Sequence, residues 1–246
     1  MKASKAMVLT MAAGSLLAVR DVHASYLGLS VTVTPQTVAG TLRNVYRVYA
    51  NFSDPNDYLT VVFGSPTLGN MVIQSRNLTD TGPGSNFVNI VGGGATAPSL
   101  SAIAANPDVA FDTFVTIGVP VSDLGSGPAP SQDLTSLSPG FGAGIGNVST
   151  YDNGNGGWFT PGPVDQGRAG YLGDGDSLLR VLMMQLTVSS TSCVRGTVNL
   201  SGVNNTPLGG GQSFTIGGQT FVCIPTPGTL ALLAFAGFAG RGRRRK

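Results

Sequence analysis

The chain has 246 residues, with 36 glycines and 15 prolines, and it carries 14 lysines and arginines against 12 aspartates and no glutamate. Its only histidine is His23 and its lysines are Lys2, Lys5 and Lys246, so the body excludes Ser-His-Asp and Cys-His catalysis, imidazole-held zinc or copper, lysine nucleophiles and lysine phosphate loops. With the basic ends set aside, eleven aspartates face six arginines, a balance of −5 that offers a nucleic acid no basic stripe.

The first 24 residues have the order of a signal peptide. Lys2 and Lys5 precede a mostly apolar segment over 6–19, and Val22-His23-Ala24 places small residues at the two positions a signal peptidase reads. Cleavage is expected between Ala24 and Ser25, and the alternative is an uncleaved anchor. Either sends the body out of the cytoplasm.

From 25 to 223 the chain is long enough for one sizeable domain. Segments rich in Val, Thr, Ile, Phe and Tyr, separated by Gly and Pro, predict strands over 26–33, 44–52, 58–63, 71–76, 87–91, 111–119, 178–188, 194–200 and 213–223. Tyr46, Val48, Ala50 and Phe52 alternate with Val45, Arg47 and Tyr49, as a strand with two unlike faces requires. Only 97–106 suits a turn or two of helix. The pattern implies a mainly β fold, a single antiparallel β-sandwich of jelly-roll or Ig-like type. No repeat of 20 to 50 residues points to a β-helix or propeller. The stretch 124–176, rich in Gly, Pro, Ser and Asp, predicts a long loop-rich insertion.

Several motifs invite chemistry. Asp54-Pro-Asn-Asp57, Asp152-Asn-Gly-Asn155 and Asp174-Gly-Asp176 offer hard oxygen ligands, and Asp174 and Asp176 are the candidate calcium pair. EF-hand spacing is absent and such residues beside Gly are turn formers, so turns without a cofactor are the expectation. Asp80-Thr81-Gly82 matches the aspartic-protease triplet, but it has no second copy and Pro83 follows it. Asp108 and Asp112 are the candidates for a glycosidase carboxylate pair, the weaker reading in a body with one tryptophan to stack on a sugar. Tyr151, Trp158, Phe159 and Tyr171 form either an aromatic platform or, as expected, pins that hold the insertion to the core. Asn51, Asn77 and Asn147 stand in glycosylation sequons to which we attach no role.

Cys193 and Cys223 are an even pair in a chain read as exported, so a disulfide is expected. Closing a loop of about 30 residues is worth about 3–4 kcal/mol in the chain-entropy model. Free or lipid-modified thiols are the alternative.

The last 23 residues begin Ile224-Pro225-Thr226-Pro227-Gly228, continue as an apolar run over 229–240, and end with Arg241, Arg243, Arg244, Arg245 and Lys246. As a helix the run spans about 18 Å, short of a hydrocarbon core of about 30 Å, so a buried core helix is the competing reading. The basic cluster favours a membrane stop, because positive charge beside an apolar helix stays on the cytoplasmic side. The tail resembles the PEP-CTERM sorting signal of exported Gram-negative bacterial proteins, with Thr226 replacing the usual glutamate. That resemblance implies processing by an exosortase near Pro225, Thr226, Pro227 and Gly228, and transient anchoring in the inner membrane.

Four blocks, Val45-Tyr-Arg-Val-Tyr-Ala-Asn-Phe, Phe111-Asp-Thr-Phe-Val-Thr-Ile-Gly, Gly156-Gly-Trp-Phe and Val181-Leu-Met-Met-Gln-Leu-Thr-Val, look like those of a group of PEP-CTERM-tailed β proteins without an assigned activity. The combined expectation is a secreted, non-enzymatic protein of the cell surface or extracellular matrix. Its partners are signal peptidase and an exosortase. The runner-up is a carbohydrate- or ice-binding module, with an extracellular polysaccharide as partner, and an Asp-dependent hydrolase comes third.

Overall fold

The computed structural model describes residues 26–90, 93–123, 133–142, 144–171, 178–204 and 211–222. The expected signal peptide, sorting motif, apolar helix and basic tail lie outside the described residues. Among the described residues no helix is long and apolar enough to cross a membrane.

The protein is mainly β, and its strands form two antiparallel sheets. The first contains β1 (Tyr26–Val38), β2 (Thr41–Phe52), β5 (Phe114–Val115) and β9 (Arg180–Ser189), in the order β1-β2-β9-β5. β1 and β2 join through Ala39 and Gly40, at φ +48° and +72°, a two-residue turn whose twist matches the strands it connects. The expected alternation is realised: Tyr46, Val48, Ala50 and Phe52 all enter the core.

The second sheet is built on β10 (Ser192–Asn204). One edge of β10 pairs with β11 (Gln212–Phe221). The other carries β3 (Tyr58–Phe63) opposite Asn199–Val203 and β4 (Met71–Asn77) opposite Ser192–Thr197. β3 and β4 therefore lie end to end as one long strand broken at 64–70. The next strand is broken in the same place: β7 (Thr150–Asn153) pairs with β4, and β8 (Gly157–Phe159) pairs with β3. β6 (Ser136–Leu137) closes the sheet beyond β8.

The two breaks fit together closely. The Gly64 N–H donates to the Gly156 carbonyl at 2.8 Å, and a Cβ on Gly64 would stand 1.8 Å from the Asn153 carbonyl oxygen. Asn199, 1% exposed, holds the breaks from the β10 side. Its Nδ2 donates to the carbonyls of Phe63 at 3.1 Å and Gly69 at 2.8 Å, the two ends of the β3–β4 interruption. Its Oδ1 accepts the Gly218 N–H at 2.9 Å, beside the register shift in β11.

Side chains from both sheets share one apolar core, including Tyr46, Val48, Leu59, Ile73, Trp158, Met183, Leu186 and Val198. A short helix α1 (Leu100–Ala105), capped by the Ser99 hydroxyl, leads into a 3-10 turn at Pro107–Phe111 that lies on β9. There Gln185 donates to the carbonyls of Ala110 and Asp112.

Three expectations change. Segment 87–91 forms no strand over its described residues, because its bonds divide: Phe87 donates to Val148 while Val88 donates to Thr187 of the first sheet. The strand expected over 111–119 shrinks to Phe114–Val115, since Gly118 turns the chain at φ +89° and the Thr116 hydroxyl bonds the Val119 carbonyl. The stretch 124–176 is more than a loop: it supplies β6, β7 and β8, and buried Gln166 ties it inward through Ile117 and Leu134.

Replacing Asn199 by leucine takes the side-chain partner from the Phe63 carbonyl and the Gly218 N–H, while the Gly69 carbonyl keeps the Ser65 N–H. At about 1–3 kcal/mol per buried unpaired group, the expected loss is about 3 kcal/mol or more in urea unfolding, against a near-neutral Gln212→Glu on exposed β11. A loss under about 1 kcal/mol would show that the break is held by something else.

Candidate functional site

Most sequence-predicted site residues lie outside the described residues: Ala24 and Ser25, Asp174 and Asp176, Cys223, Pro225 to Gly228, and the basic cluster from Arg241 to Lys246. Cys193 is described. It sits near the start of β10, fully buried and disulfide-bonded. Its register partner on β4 is Arg76.

Arg76 opens a charged cluster on the face of the second sheet turned away from the core. Its Nε donates to Asp80 Oδ1 at 2.9 Å, and Arg195 Nη1 donates to Asp80 Oδ2 at 3.1 Å. Arg195 also bonds Gln74 Oε1 at 3.0 Å. Beside this cluster a notch of about 330 Å³ is lined by Val72, Gln74, Arg195, Thr197, Thr220 and Val222. β11 ends at this notch with Phe221, the register partner of Gly196.

The Asp80-Thr81-Gly82 triplet is thereby explained without protease chemistry. Asp80 stands at φ +55° in the tight connection after β4, where Asn77 Oδ1 accepts the Thr81 N–H at 3.0 Å. Both its carboxylate oxygens are taken by guanidinium groups, which leaves neither to share a proton with a second aspartate and activate water.

Asp108 lies within the 3-10 turn and Asp112 caps its end, but the two do not open on one cleft. Asp108 Oδ2 accepts the Ala39 N–H at 3.0 Å on the surface. Asp112 is 1% exposed; its Oδ1 accepts the Ile90 N–H at 2.9 Å and its Oδ2 has no hydrogen-bond partner. Gly93 seals it, since a Cβ there would fall 1.7 Å from Oδ2. Burial pushes the carboxyl up to about 6, against the pull of backbone N–H groups from Ile90 and Thr113.

The other motifs serve the fold. Asp54 Oδ1 caps the Asn56 N–H at 2.8 Å, and Asn153 Oδ1 does the same for Asn155 at 2.8 Å. Asp152 accepts from Asn70 across the strand break. Among the described residues no group of three His, Cys, Asp or Glu side chains is placed to hold a metal ion. Trp158 is fully buried and donates to the Thr116 carbonyl at 3.0 Å, with Phe141 edge-on at 5.4 Å and Tyr151 beyond it. These aromatics pin the 133–171 segment to the core. Phe159 and Tyr171 are half-buried.

Sequence reasoning missed the two-arginine clamp on Asp80, because Arg195 reaches it from 115 residues away. No protein-family model matches the chain, and no curated protein or solved structure matches it either.

The raised carboxyl of Asp112 has a definite sign. A folded value of about 6 against an ordinary 3.8 means its contribution is fully present below pH 3.8 and is lost as pH rises through 6. At pH 7 the charged form costs on the order of 2–3 kcal/mol. Asp112→Asn removes that dependence, so the stability of the variant relative to the parent should rise by about this amount between pH 4 and pH 7 in urea titrations. A pH-independent difference would count against the assignment.

Proposed function

We propose that this protein is an exported, non-enzymatic module whose two sheets close as a β-sandwich. The leader directs it across the inner membrane, and the Pro225-Thr226-Pro227 tail hands it to an exosortase for display at the cell surface or in the extracellular matrix. The observation that carries the reading is the disulfide-bonded state of Cys193, on the strand that pairs with the end of β11. Reducing compartments keep such cysteines as thiols, whereas exported chains retain the bond.

Two further features support it. The acidic balance of the body suits a soluble domain outside the membrane, and every lysine lies in the two ends that sorting reads. The aspartates that most invited a catalytic reading are clamped at Asp80 or sealed at Asp112.

Intact mass and terminal sequencing of the protein from cell envelope and medium test the proposal. The expected product begins at Ser25 and ends between Pro225 and Gly228, and in an exosortase-deficient host the tail remains attached. Recovery of all 246 residues from the cytosol would refute it.

A further inference from the structure

The face of the first sheet turned away from the core carries the other notable charge. Of the six body arginines, Arg76 and Arg195 are held by Asp80, Arg168 lies 3.6 Å from Asp165, and Arg180 stacks 3.7 Å from the centre of the Tyr49 ring. Arg43 and Arg47 have no carboxylate within 4.0 Å among the described residues. They stand on the same face of β2 with Val45 between them, about 13 Å apart along the strand.

Their surroundings are hydroxyls and amides. On β1 the register partners are Gln36, Thr34 and Thr32, and on β9 they are Ser189, Thr187 and Gln185. Arg47 spends only its Nε, on Gln185 Oε1 at 3.0 Å, so its outer guanidinium edge stays open. The Arg43 Nε is buried without a hydrogen-bond partner. An unpaired buried donor on a cation costs several times more than a satisfied one and calls for an acceptor. Beside Arg47 a notch of about 130 Å³ is walled by Phe111 and Val45 and rimmed by Thr34 and Gln36. No acid lines this notch among the described residues, and Asp108, in the same 3-10 turn as Phe111, accepts the Ala39 N–H.

We propose that this face binds an anionic polysaccharide, with Arg47 and its notch taking one acidic group and Arg43 another further along the polymer. Size decides against a compact ligand: small-molecule sites run to about 300–1,000 Å³, and this notch has room for a single carboxylate or sulfate group. Charge density decides against nucleic acid. A strand with one phosphate per about 3.4 Å would meet two arginines on a body of net −5, whereas acidic groups spaced along a sugar chain match two separated cations. The face lies on the other sheet from the notch at the end of β11. The choice of an extracellular polymer rests on the export reading; the contact with an acidic group does not.

Affinity electrophoresis of the protein recovered from cells, in gels containing polygalacturonate, dextran sulfate, neutral dextran or single-stranded DNA, tests the inference. Retardation by either acidic polysaccharide supports it, and the stronger of the two identifies the acidic group. Arg43→Gln and Arg47→Gln should each weaken binding about 5- to 10-fold and together abolish it, Arg47→Lys should restore part of it, and raised salt should weaken it. Gln212→Glu on β11, which changes net charge by the same amount, should leave binding unchanged. Thermal melting confirms that each variant is folded. Equal retardation of the folded double variant, equal retardation by neutral dextran, or a preference for DNA would overturn the inference. Correctly processed protein that ignores both acidic polymers defeats this inference alone, and binding by a chain found only in the cytosol defeats the export reading alone.

Discussion

The architecture of the second sheet depends on the carboxamide of Asn199. β10 is the strand to which β3, β4 and β11 all attach, and both the β3–β4 line beside it and the β7–β8 line beyond are interrupted at the same level. An interruption deep in a sheet strands backbone carbonyls where no ladder partner reaches them, and an unpaired buried carbonyl is expensive. Asn199 brings two donors and one acceptor to that point and uses all three, on Phe63, Gly69 and Gly218. A hydrophobic side chain there would fill the space and pair nothing. An aspartate would turn a negative charge on two carbonyl oxygens. The asparagine thus sets the register of both halves of the broken strands, and with it the positions of Cys193, Arg195 and Gln74.

Charge is used sparingly and locally. Exposed ion pairs are individually weak, but Asp80 gathers two arginines from different strands and closes the connection after β4 against the start of β10. Arg180 is placed over an aromatic ring, a contact that keeps a guanidinium well packed. The result is a polar but internally satisfied face on the second sheet, next to the disulfide-bonded cysteine, and a face on the first sheet where two cations lack acidic partners.

The strands that could be read from the sequence are those with a clean alternation or a long β-branched run. β2 declares itself through Tyr46, Val48, Ala50 and Phe52, and β9 through its apolar run from Val181 to Val188. The strands of 133–171 could not be read, because segments of two to four residues between Gly and Asn carry no period of their own and exist only because β3 and β4 offer an edge to pair with. The opposite error occurred at 111–119. Thr113, Phe114, Val115, Thr116 and Ile117 have strong strand preferences, yet side-chain bonds from Thr113 and Thr116 and the positive φ of Gly118 draw the chain out of the ladder after two residues. Among the candidate sites, the turn character of Asp54, Asp80 and Asn153 was legible from Asp and Asn beside Gly and Pro. The arginine clamp, the sealed Asp112 and the open Arg43–Arg47 face were not, since each joins residues far apart in the chain.

The sequence by itself determined the chemical limits of this protein. A body without histidine, lysine or glutamate has few reactions open to it, and an apolar run ending in arginines is the local pattern on which the proposed export rests. Tertiary structure alone decided which charges are spent and which are spare. Whether an arginine meets a carboxylate depends on strand register, and register follows from how the breaks at Gly64 and Gly156 interlock around Asn199, a packing condition that no local pattern of residues encodes.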